Sequence, residues 1–259
     1  MEFGLKGKRA LVTGASAGLG LAAAQSLAAE GVELVINGRK ADRLKAAAKQ
    51  IEKATGIKPA VVAGDVSNTV DVANIAAEAG EVDILVSNAG GPPPGAFMDH
   101  AQEVWRDAYQ LVLQSAVGLT KAVMDGMLRR KWGRVIYITS VGVLQPVDEL
   151  VLSNALRAGV TGLCKTLANN YSSKGLTFNC VCPGYTATER LLSLAESRAK
   201  AADKTPEEIL EGIASNIPSG RVGRPEELAA LITFLASDQA AYITGASIPV
   251  DGGHHRGLI

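Results

Sequence analysis

The stretch TGASAGLG, from Thr13 to Gly20, decides how this chain folds. It follows the short apolar run RALV and precedes an Ala-rich segment of helical length. Glycines here allow a tight turn and a close approach of the backbone to a ligand, and a helix N-terminus offers unpaired N–H groups to a diphosphate. The same pattern also fits an ordinary strand-to-helix connection. The stretch therefore predicts a strand, a turn and a helix, with dinucleotide binding as the hypothesis for the turn.

The alternation of short apolar runs and helix-length segments continues along the chain. Predicted strands lie in RALVTG, ELVING, PAVVAGD, DILVSNAG, RVIYITS, LTFNCVCPG and ASIPVDGG. Predicted helices cover residues 19–30, 41–55, 70–79, 101–130, 150–174 and 225–237. Apolar strands without alternation, separated by helices, are typical of βαβ units. No repeat or linker divides the chain. We expect an α/β fold, with one doubly wound Rossmann-type domain spanning residues 1–259.

The composition limits the kinds of ligand and macromolecule that the protein is expected to bind. Lys and Arg number 26 and Asp and Glu number 26, so no basic field attracts nucleic acid or anionic membranes. Three histidines are too few and scattered for a histidine metal site, and we expect no metal. Cys164, Cys180 and Cys182 lack zinc-site spacing and read as core thiols. We find neither a signal sequence nor a run of roughly 20 apolar residues, and expect a cytoplasmic protein.

Two segments interrupt the alternation. GGPPPGAF, residues 90–97, cannot continue a helix, because its prolines lack a donor and its glycines favour turns. It should form a loop at the carboxyl end of the fourth strand, where ligands bind in such sheets. The segment 189–218 is rich in Ala, Lys and Glu and is a candidate substrate lid. An ordinary surface helical hairpin is the alternative.

Further motifs occur in order along nearly the whole chain: GDV at 64–66, SNAG at 87–90, Ser140 after YIT, PGYTAT at 183–188 and FLASDQAAYITGASIPVDGG at 234–253. Together with TGASAGLG they resemble the classical short-chain dehydrogenase/reductase family, and most of all its 3-oxoacyl-acyl-carrier-protein reductases. The resemblance implies a seven-stranded sheet, an NAD(P)(H) cofactor and a small-molecule substrate. It also implies a homotetramer, with a homodimer as the alternative.

The resemblance also assigns the cofactor contacts. It places the diphosphate at the glycine-rich loop, the adenine at Asp65 and Val66, and the neighbouring ribose at Asn88 and Gly90. Thr186 and Thr188 would meet the nicotinamide carboxamide. The full set of cofactor-binding candidates is Gly14, Ser16, Ala17, Gly18, Leu19, Gly20, Arg39, Asp65, Val66, Asn88, Gly90, Arg157, Pro183, Gly184, Thr186 and Thr188.

The end of the second strand, INGRK, bears on the choice of nucleotide. An NAD-preferring protein would carry a carboxylate for the adenosine ribose hydroxyls, and Gly38 occupies that position. Arg39 follows, and its guanidinium can bind a 2′-phosphate with two hydrogen bonds. Ala17 stands where many NADP-dependent members carry a basic residue. The pattern favours NADP, with NAD as the alternative.

The family's catalytic Asn, Ser, Tyr and Lys are largely missing. None of the five tyrosines is followed four residues later by lysine, so the YxxxK pattern is absent. Alignment through GVTGLCKTLA and PGYTAT places Ser140 at the serine, and Ser153 and Arg157 at the tyrosine and lysine. Val112 takes the position of the asparagine. Ser140, Ser153 and Arg157 are therefore the catalytic candidates.

The replacements change the chemistry that is available. A serine hydroxyl is a weaker acid than tyrosine and its side chain is shorter, and an arginine with a pKa above about 12 cannot cycle a proton as lysine can. Ser140 can still polarise a substrate oxygen, whereas Ser153 fits a small helix residue better than a direct catalyst. Tyr185, Asp148 and Glu149 are possible substitute acids, or wall and surface groups.

Three functions fit this pattern. The first is an NADP(H)-dependent oxidoreductase with a non-standard proton donor, acting on a carbonyl, an alcohol or a substrate that needs little protonation. The second is a catalytically inactive dinucleotide-binding sensor or hetero-oligomer subunit. The third is lyase chemistry like that of the halohydrin dehalogenases, which also place an arginine at the lysine position. Those relatives keep the tyrosine and lose the glycine-rich loop, the reverse of this sequence.

Overall fold

Seven parallel strands form one sheet in a computed structural model, which describes residues 2–258. Their order across the sheet is β3-β2-β1-β4-β5-β6-β7. The strands are β1 (Arg9–Val12), β2 (Glu33–Gly38), β3 (Ala60–Ala63), β4 (Ile84–Ser87), β5 (Gly133–Ile138), β6 (Leu176–Pro183) and β7 (Ser247–Val250). Every neighbouring pair is parallel. The doubly wound, seven-stranded parallel sheet is confirmed.

Helices cover both faces of the sheet. They are α1 (Gly18–Ala29), α2 (Ala41–Thr55), α3 (Thr69–Ala79), α4 (Gln102–Tyr109), α5 (Ser115–Arg130), α6 (Val151–Tyr171), α7 (Glu189–Ala202), α8 (Pro206–Ser215) and α9 (Pro225–Ala236). One apolar core packs α1, α2 and α9 on the sheet, and a second packs α3, α5 and α6 on the opposite face. Because both faces are covered, the strands are apolar at consecutive positions.

The sheet's order creates a crevice beside the first strand. The chain runs from β1 outward to β2 and β3 and then returns to β4 on the other side of β1. The loops after β1 and β4 therefore diverge at the carboxyl edge, where doubly wound sheets bind their ligands. Thr13 joins the two loops: its Oγ1 donates to the Asn88 carbonyl at 2.8 Å and accepts from the Asn88 N–H at 2.9 Å.

The segment predicted as one helix over 101–130 is interrupted. A π-helical turn at Gln110–Gln114 separates α4 from α5. The Ser115 N–H bonds to the Gln110 carbonyl, five residues back, and the Ser115 Oγ donates instead to the Leu111 carbonyl at 2.5 Å. A side-chain hydroxyl thus donates to a carbonyl inside the wider turn.

By length and hydropathy, the helical region Gln102–Arg130 could cross a membrane. Core helices of water-soluble proteins meet the same criteria, so this is weak support for a span. In the fold, α5 packs against α3 and β5, with Leu119, Val123 and Met127 buried in the second core.

Candidate functional site

A cavity of about 390 Å³ opens at the carboxyl edge of the sheet, between the loops that follow β1, β4, β5 and β6. The structure brings most of the predicted site residues together around it. Those that line it are Gly14, Ala17, Gly18, Leu19, Asn88, Gly90, Ser140, Ser153, Arg157, Pro183, Gly184, Thr186 and Thr188. Five predicted cofactor residues lie outside it: Ser16, Gly20, Arg39, Asp65 and Val66.

The glycine-rich loop requires glycine for two different reasons. Gly14 and Gly18 have φ of +59° and +56°, a region that other residues rarely adopt. A Cβ at Gly14 would lie 2.6 Å from the Asn88 Nδ2, and one at Gly18 would lie 3.5 Å from the Thr188 Cγ2. The loop thus forms a close-fitting backbone cradle that opens into the cavity at the start of α1.

Gly20 is needed for close packing between α1 and this loop. It is buried in α1, and an added Cβ would collide with the Gly14 carbonyl oxygen and approach the Asn88 Nδ2 at 2.9 Å. The Asn88 Nδ2 donates to that same carbonyl at 3.3 Å. Gly20 therefore allows α1 to start close beneath the loop, while the open side of the cradle is formed by Ala17, Gly18 and Leu19.

The remaining cofactor candidates lie towards β2 and β3. Ser16 is next to the end of β2, since a Cβ on Gly38 would lie 3.4 Å from its Oγ. Arg39 is exposed just beyond that strand. The Asp65 Oδ1 accepts from the Ser67 N–H at 3.0 Å and from its Oγ at 2.8 Å, so this carboxylate shapes its own turn. Val66 is buried in the second core.

The loop after β6 forms the opposite wall. Thr186 pairs with Gly223 in an isolated bridge, which ties this loop to the segment before α9. Thr188 immediately precedes α7, and its methyl group is the nearest neighbour of a Cβ at Gly18. The two ends of PGYTAT therefore face different parts of the cavity: Pro183 and Gly184 lie at the end of the strand and Thr188 lies against the glycine loop.

Ser140 has a hydroxyl proton that the protein leaves available. The residue precedes a 3₁₀ turn at Val141–Val143, and its Oγ accepts from the Gly142 N–H at 3.1 Å. Because the backbone donates to the oxygen, the hydroxyl can donate to a ligand in the cavity. Ser153, on the first turn of α6, is 7% exposed and makes no side-chain hydrogen bond with any residue of the part described, 2–258.

Arg157 lies one turn further along α6 and is 9% exposed. Its Nη1 donates to the Ile138 carbonyl at 2.8 Å, which fixes the guanidinium at the end of β5. Burial, aided by the charge of Arg190, lowers the pKa of Arg157 to about 10. The guanidinium is therefore still protonated at neutral pH, and the residue lines the cavity as a cation.

The π-helical turn places Val112 behind the cavity. This side chain is 4% exposed and lines a void of about 20 Å³ that Tyr137, Ser115 and Arg157 also line. An apolar group therefore occupies the position that the sequence alignment gave to a catalytic asparagine.

The three proposed substitute acids separate in the structure. Tyr185 lines the cavity, and its ring packs edge-on against His254 at 5.4 Å between centroids. Asp148 and Glu149 are exposed and do not line the cavity. The Glu149 carboxylate lies 3.9 Å from the Arg198 guanidinium, with the residue at φ +60°. This geometry leaves Tyr185 as the one substitute acid that lines the cavity.

Arg190 is a charged cavity residue that the sequence did not single out. It lies on the first turn of α7, and its Nη1 and Nη2 donate to the Gly91 and Pro92 carbonyls, both at 3.2 Å. Partial burial lowers its pKa. The available signal was its position, two residues after PGYTAT, but the bonds to a loop 98 residues away are visible only in the fold.

In the part of the chain that the structure describes, no three His, Cys, Asp or Glu side chains are grouped to hold a metal ion. The three cysteines are free and buried.

A doubly wound sheet with a glycine cradle at its switch point defines a Rossmann-type protein. Residues 14–255 match the family model described as enoyl-(acyl carrier protein) reductase. The chain belongs to the short-chain dehydrogenase/reductase family and is similar to its 3-oxoacyl-acyl-carrier-protein reductases.

Particular relatives show how far the similarity extends. The 3-oxoacyl-acyl-carrier-protein reductase FabG of Salmonella typhimurium is 36% identical over 253 residues, which cover 96% of this chain and 97% of that protein. L-Sorbose reductase of Gluconobacter frateurii, solved with NADPH and L-sorbose, superposes with a TM-score of 0.95 at 33% identity, covering 100% of both chains. An actinorhodin polyketide ketoreductase with NADPH gives 0.92 at 32% identity, covering 96% of this chain and 98% of that one.

Proposed function

We propose that the protein is an NADP(H)-dependent oxidoreductase whose site uses a proton source other than the family's tyrosine. The observation that carries this proposal is that one cavity joins the glycine cradle to Ser140, Ser153 and Arg157. Cofactor-binding backbone and polar side chains able to contact a substrate thus share one space. The relatives solved with NADPH support the same assignment.

The cradle fits a dinucleotide by its shape. Gly14 and Gly18 hold the loop in a conformation with positive φ, and within residues 2–258 no side chain caps the N-terminus of α1 at its open side. In the proposal, Ser16, Ala17, Gly18 and Leu19 surround the diphosphate. Asn88 and Gly90 bind the adjoining ribose, and Thr186 and Thr188 the carboxamide.

Arg39 supports NADP as the preferred nucleotide. Its side chain is exposed beyond β2, beside a loop where Gly38 offers no carboxylate to repel a phosphate. A guanidinium there can bind the 2′-phosphate through two charge-assisted hydrogen bonds. NAD remains the alternative.

NADPH would supply a hydride to an electrophilic carbon of the substrate. The Ser140 hydroxyl would donate a hydrogen bond to the substrate oxygen, since the Gly142 N–H already binds its Oγ. Arg157 would stabilise negative charge that develops near it, without giving up its own proton. The proton that completes the reduction then comes from water or from Tyr185 at the cavity wall. A conjugated or iminium substrate suits this site, because little protonation is needed during hydride transfer.

The lid assigned to residues 189–218 is part of the proposal. Helices α7 and α8 share a small apolar core of their own, built on Leu191, Ile213 and Ile217. Leu191 also lines the cavity, as do Arg190 and Leu194 from the same helix. A pair of helices with a separate core can move as a unit and cover a bound substrate. The homotetramer and the cytoplasmic location remain predictions from the resemblance and the composition.

The test combines binding and turnover. The purified protein is titrated with NADPH and NADH by fluorescence, and then screened with NADPH against 3-ketoacyl and enoyl thioesters, ketones and imines. We expect tight NADPH binding and turnover on at least one class. Binding without any turnover would favour the inactive dinucleotide-binding protein, and failure to bind either nucleotide would refute the assignment of the glycine cradle.

A further inference from the structure

We propose that the substrate carries a carboxylate, which Arg157 and Arg190 bind together in the cavity. The inference rests on the proposed function, because it names the substrate class of the same site. It can nevertheless be tested by binding alone.

The charges around the cavity do not balance. Within residues 2–258, its charged lining consists of Arg157, Arg190 and Glu189. Glu189 does not neutralise the arginines, since its carboxylate accepts two hydrogen bonds from the Arg43 Nη2, at 2.6 and 2.8 Å. That ion pair joins α7 to α2 on the exposed surface. The cavity is thus left with two cations whose charge no facing carboxylate balances.

Arg157 is a buried cation without an acidic partner. It is more than nine-tenths buried, and no carboxylate of the described residues lies within ion-pair distance of its guanidinium. Its protein partner is the neutral Ile138 carbonyl. Burying a charge that lacks a counter-charge costs free energy, and a ligand of opposite charge would offset that cost.

Arg190 is held where it can complete an anion site. Its two terminal nitrogens donate to the Gly91 and Pro92 carbonyls, which draw the side chain from α7 across to the loop after β4. These partners are neutral and orient the guanidinium without cancelling its charge. The two arginines are close enough for the charge of Arg190 to lower the pKa of Arg157. Such a pair of like charges is stabilised when an anion binds between them.

The other residues that line the cavity indicate what the remainder of the substrate is like. Val147 and Leu150, ahead of α6, line the cavity, as do Leu191 and Leu194 on α7. These side chains are apolar and line the same cavity as the two arginines. The matching ligand is an organic acid with a compact apolar body, in contrast to a polyol or a free sugar.

The cofactor's diphosphate is the other anion that an arginine on α7 could bind. The cradle for that group lies at Gly18, beside Thr188, and the Arg190 side chain is turned to the Gly91 side of the cavity. Titration of carboxylates into the protein already saturated with NADPH shows which anion Arg190 binds, a substrate carboxylate or the cofactor's diphosphate. A guanidinium engaged by diphosphate gives no carboxylate preference there.

The experiment uses two probes of nearly equal shape, 4-phenylbutanoate and 4-phenylbutanamide. Both are titrated by calorimetry into the NADPH-saturated protein, at pH 7.5, and also into the protein without nucleotide. We expect the carboxylate to bind about tenfold or more tightly than the amide, as charge-assisted hydrogen bonds require. In Arg190→Gln the two affinities should become nearly equal, with NADPH affinity unchanged.

Two further variants serve as controls. Arg198→Gln removes the same residue type from the same helix, but Arg198 lies outside the cavity and pairs with Glu149. It should keep the carboxylate preference. Arg157→Lys retains the buried charge and should keep part of it, with a thermal unfolding measurement to show that it folds.

Equal affinities for the two probes in the unmodified protein would overturn the proposal. So would an Arg190→Gln variant that loses NADPH affinity and keeps the carboxylate preference, because the guanidinium would then serve the diphosphate. Carboxylate preference without any turnover would support this inference and contradict the oxidoreductase proposal. Turnover of neutral substrates alone would support the oxidoreductase proposal and contradict this inference.

Discussion

The two ends of the cavity are specified in different ways. At the glycine cradle the geometry is set by the backbone: Gly14 and Gly18 need positive φ, and Gly20 needs space beneath the Gly14 carbonyl. At the other end it is set by side chains on a helix, where Ser153 and Arg157 occupy α6 in ordinary helical conformation. A side chain added at the first end would strain or collide with the backbone, whereas side chains at the second end can be exchanged without a change of backbone conformation.

The largest effect is expected from Gly18→Val, at the glycine cradle. A β-branched residue is strained at φ +56°, and its methyl groups would fill the open side of the cradle. We expect NADPH binding to be abolished, as measured by fluorescence titration. Gly162→Ala is the matched control, because Gly162 lies in α6 with no atom within 4 Å of an added Cβ. Normal NADPH affinity in the valine variant would show that the loop has another role.

At the end of the cavity formed by the α6 side chains, we expect a substitution to increase activity. The double variant Ser153→Tyr with Arg157→Lys restores YxxxK on α6, at two positions that line the cavity. General acid catalysis is typically worth roughly 10²- to 10⁴-fold, so we expect 3-ketoacyl thioester reduction to rise by about 10²-fold. Each single variant should gain much less. No gain in the folded double variant would mean that the pocket itself excludes such substrates.

Arg39→Ala tests an exposed side chain just beyond β2, outside the cavity. Loss of two charge-assisted hydrogen bonds should weaken NADPH binding by about tenfold or more and leave NADH nearly unaffected. Titration of both nucleotides measures the difference. Lys40→Ala removes the neighbouring exposed cation and controls for general charge. Equal losses for the two nucleotides would contradict the assignment of NADP.

The smallest effect on stability is expected for the ion pair between the proposed lid and α2. Arg43→Ala removes the exposed ion pair with Glu189, which should cost less than about 1 kcal/mol in the free energy of unfolding. Amide hydrogen exchange in the first turn of α7 should nevertheless become faster. Arg106→Ala, whose partner Asp107 is in the same helix, is the control. Unchanged exchange in α7 would show that this contact does not restrain the lid.

The sequence predicted the sheet and most helices because burial on both faces leaves a direct signature, continuous apolar strands between amphipathic segments. It also placed thirteen of the site residues around one cavity, since motifs at strand ends meet at the sheet's edge. It did not predict the π-helical turn, in which the Ser115 hydroxyl donates to the Leu111 carbonyl, because many serines within helices can make such a bond. Arg190 was missed for a related reason: its partners are carbonyls of a distant loop, and carbonyls are the same in every residue.

The three cysteines provide a measure of how the sheet opens. Cys180 and Cys182 are fully buried in β6, and Cys164 is 1% exposed on α6. Burial raises the pKa of the Cys182 thiol to about 11, so the reactive thiolate is scarce even where a reagent arrives. Alkylation should proceed only through molecules in which this part of the sheet has separated. The rate of thiol labelling therefore measures its opening equilibrium, and a cysteine introduced on the exposed surface should be labelled selectively against a silent background.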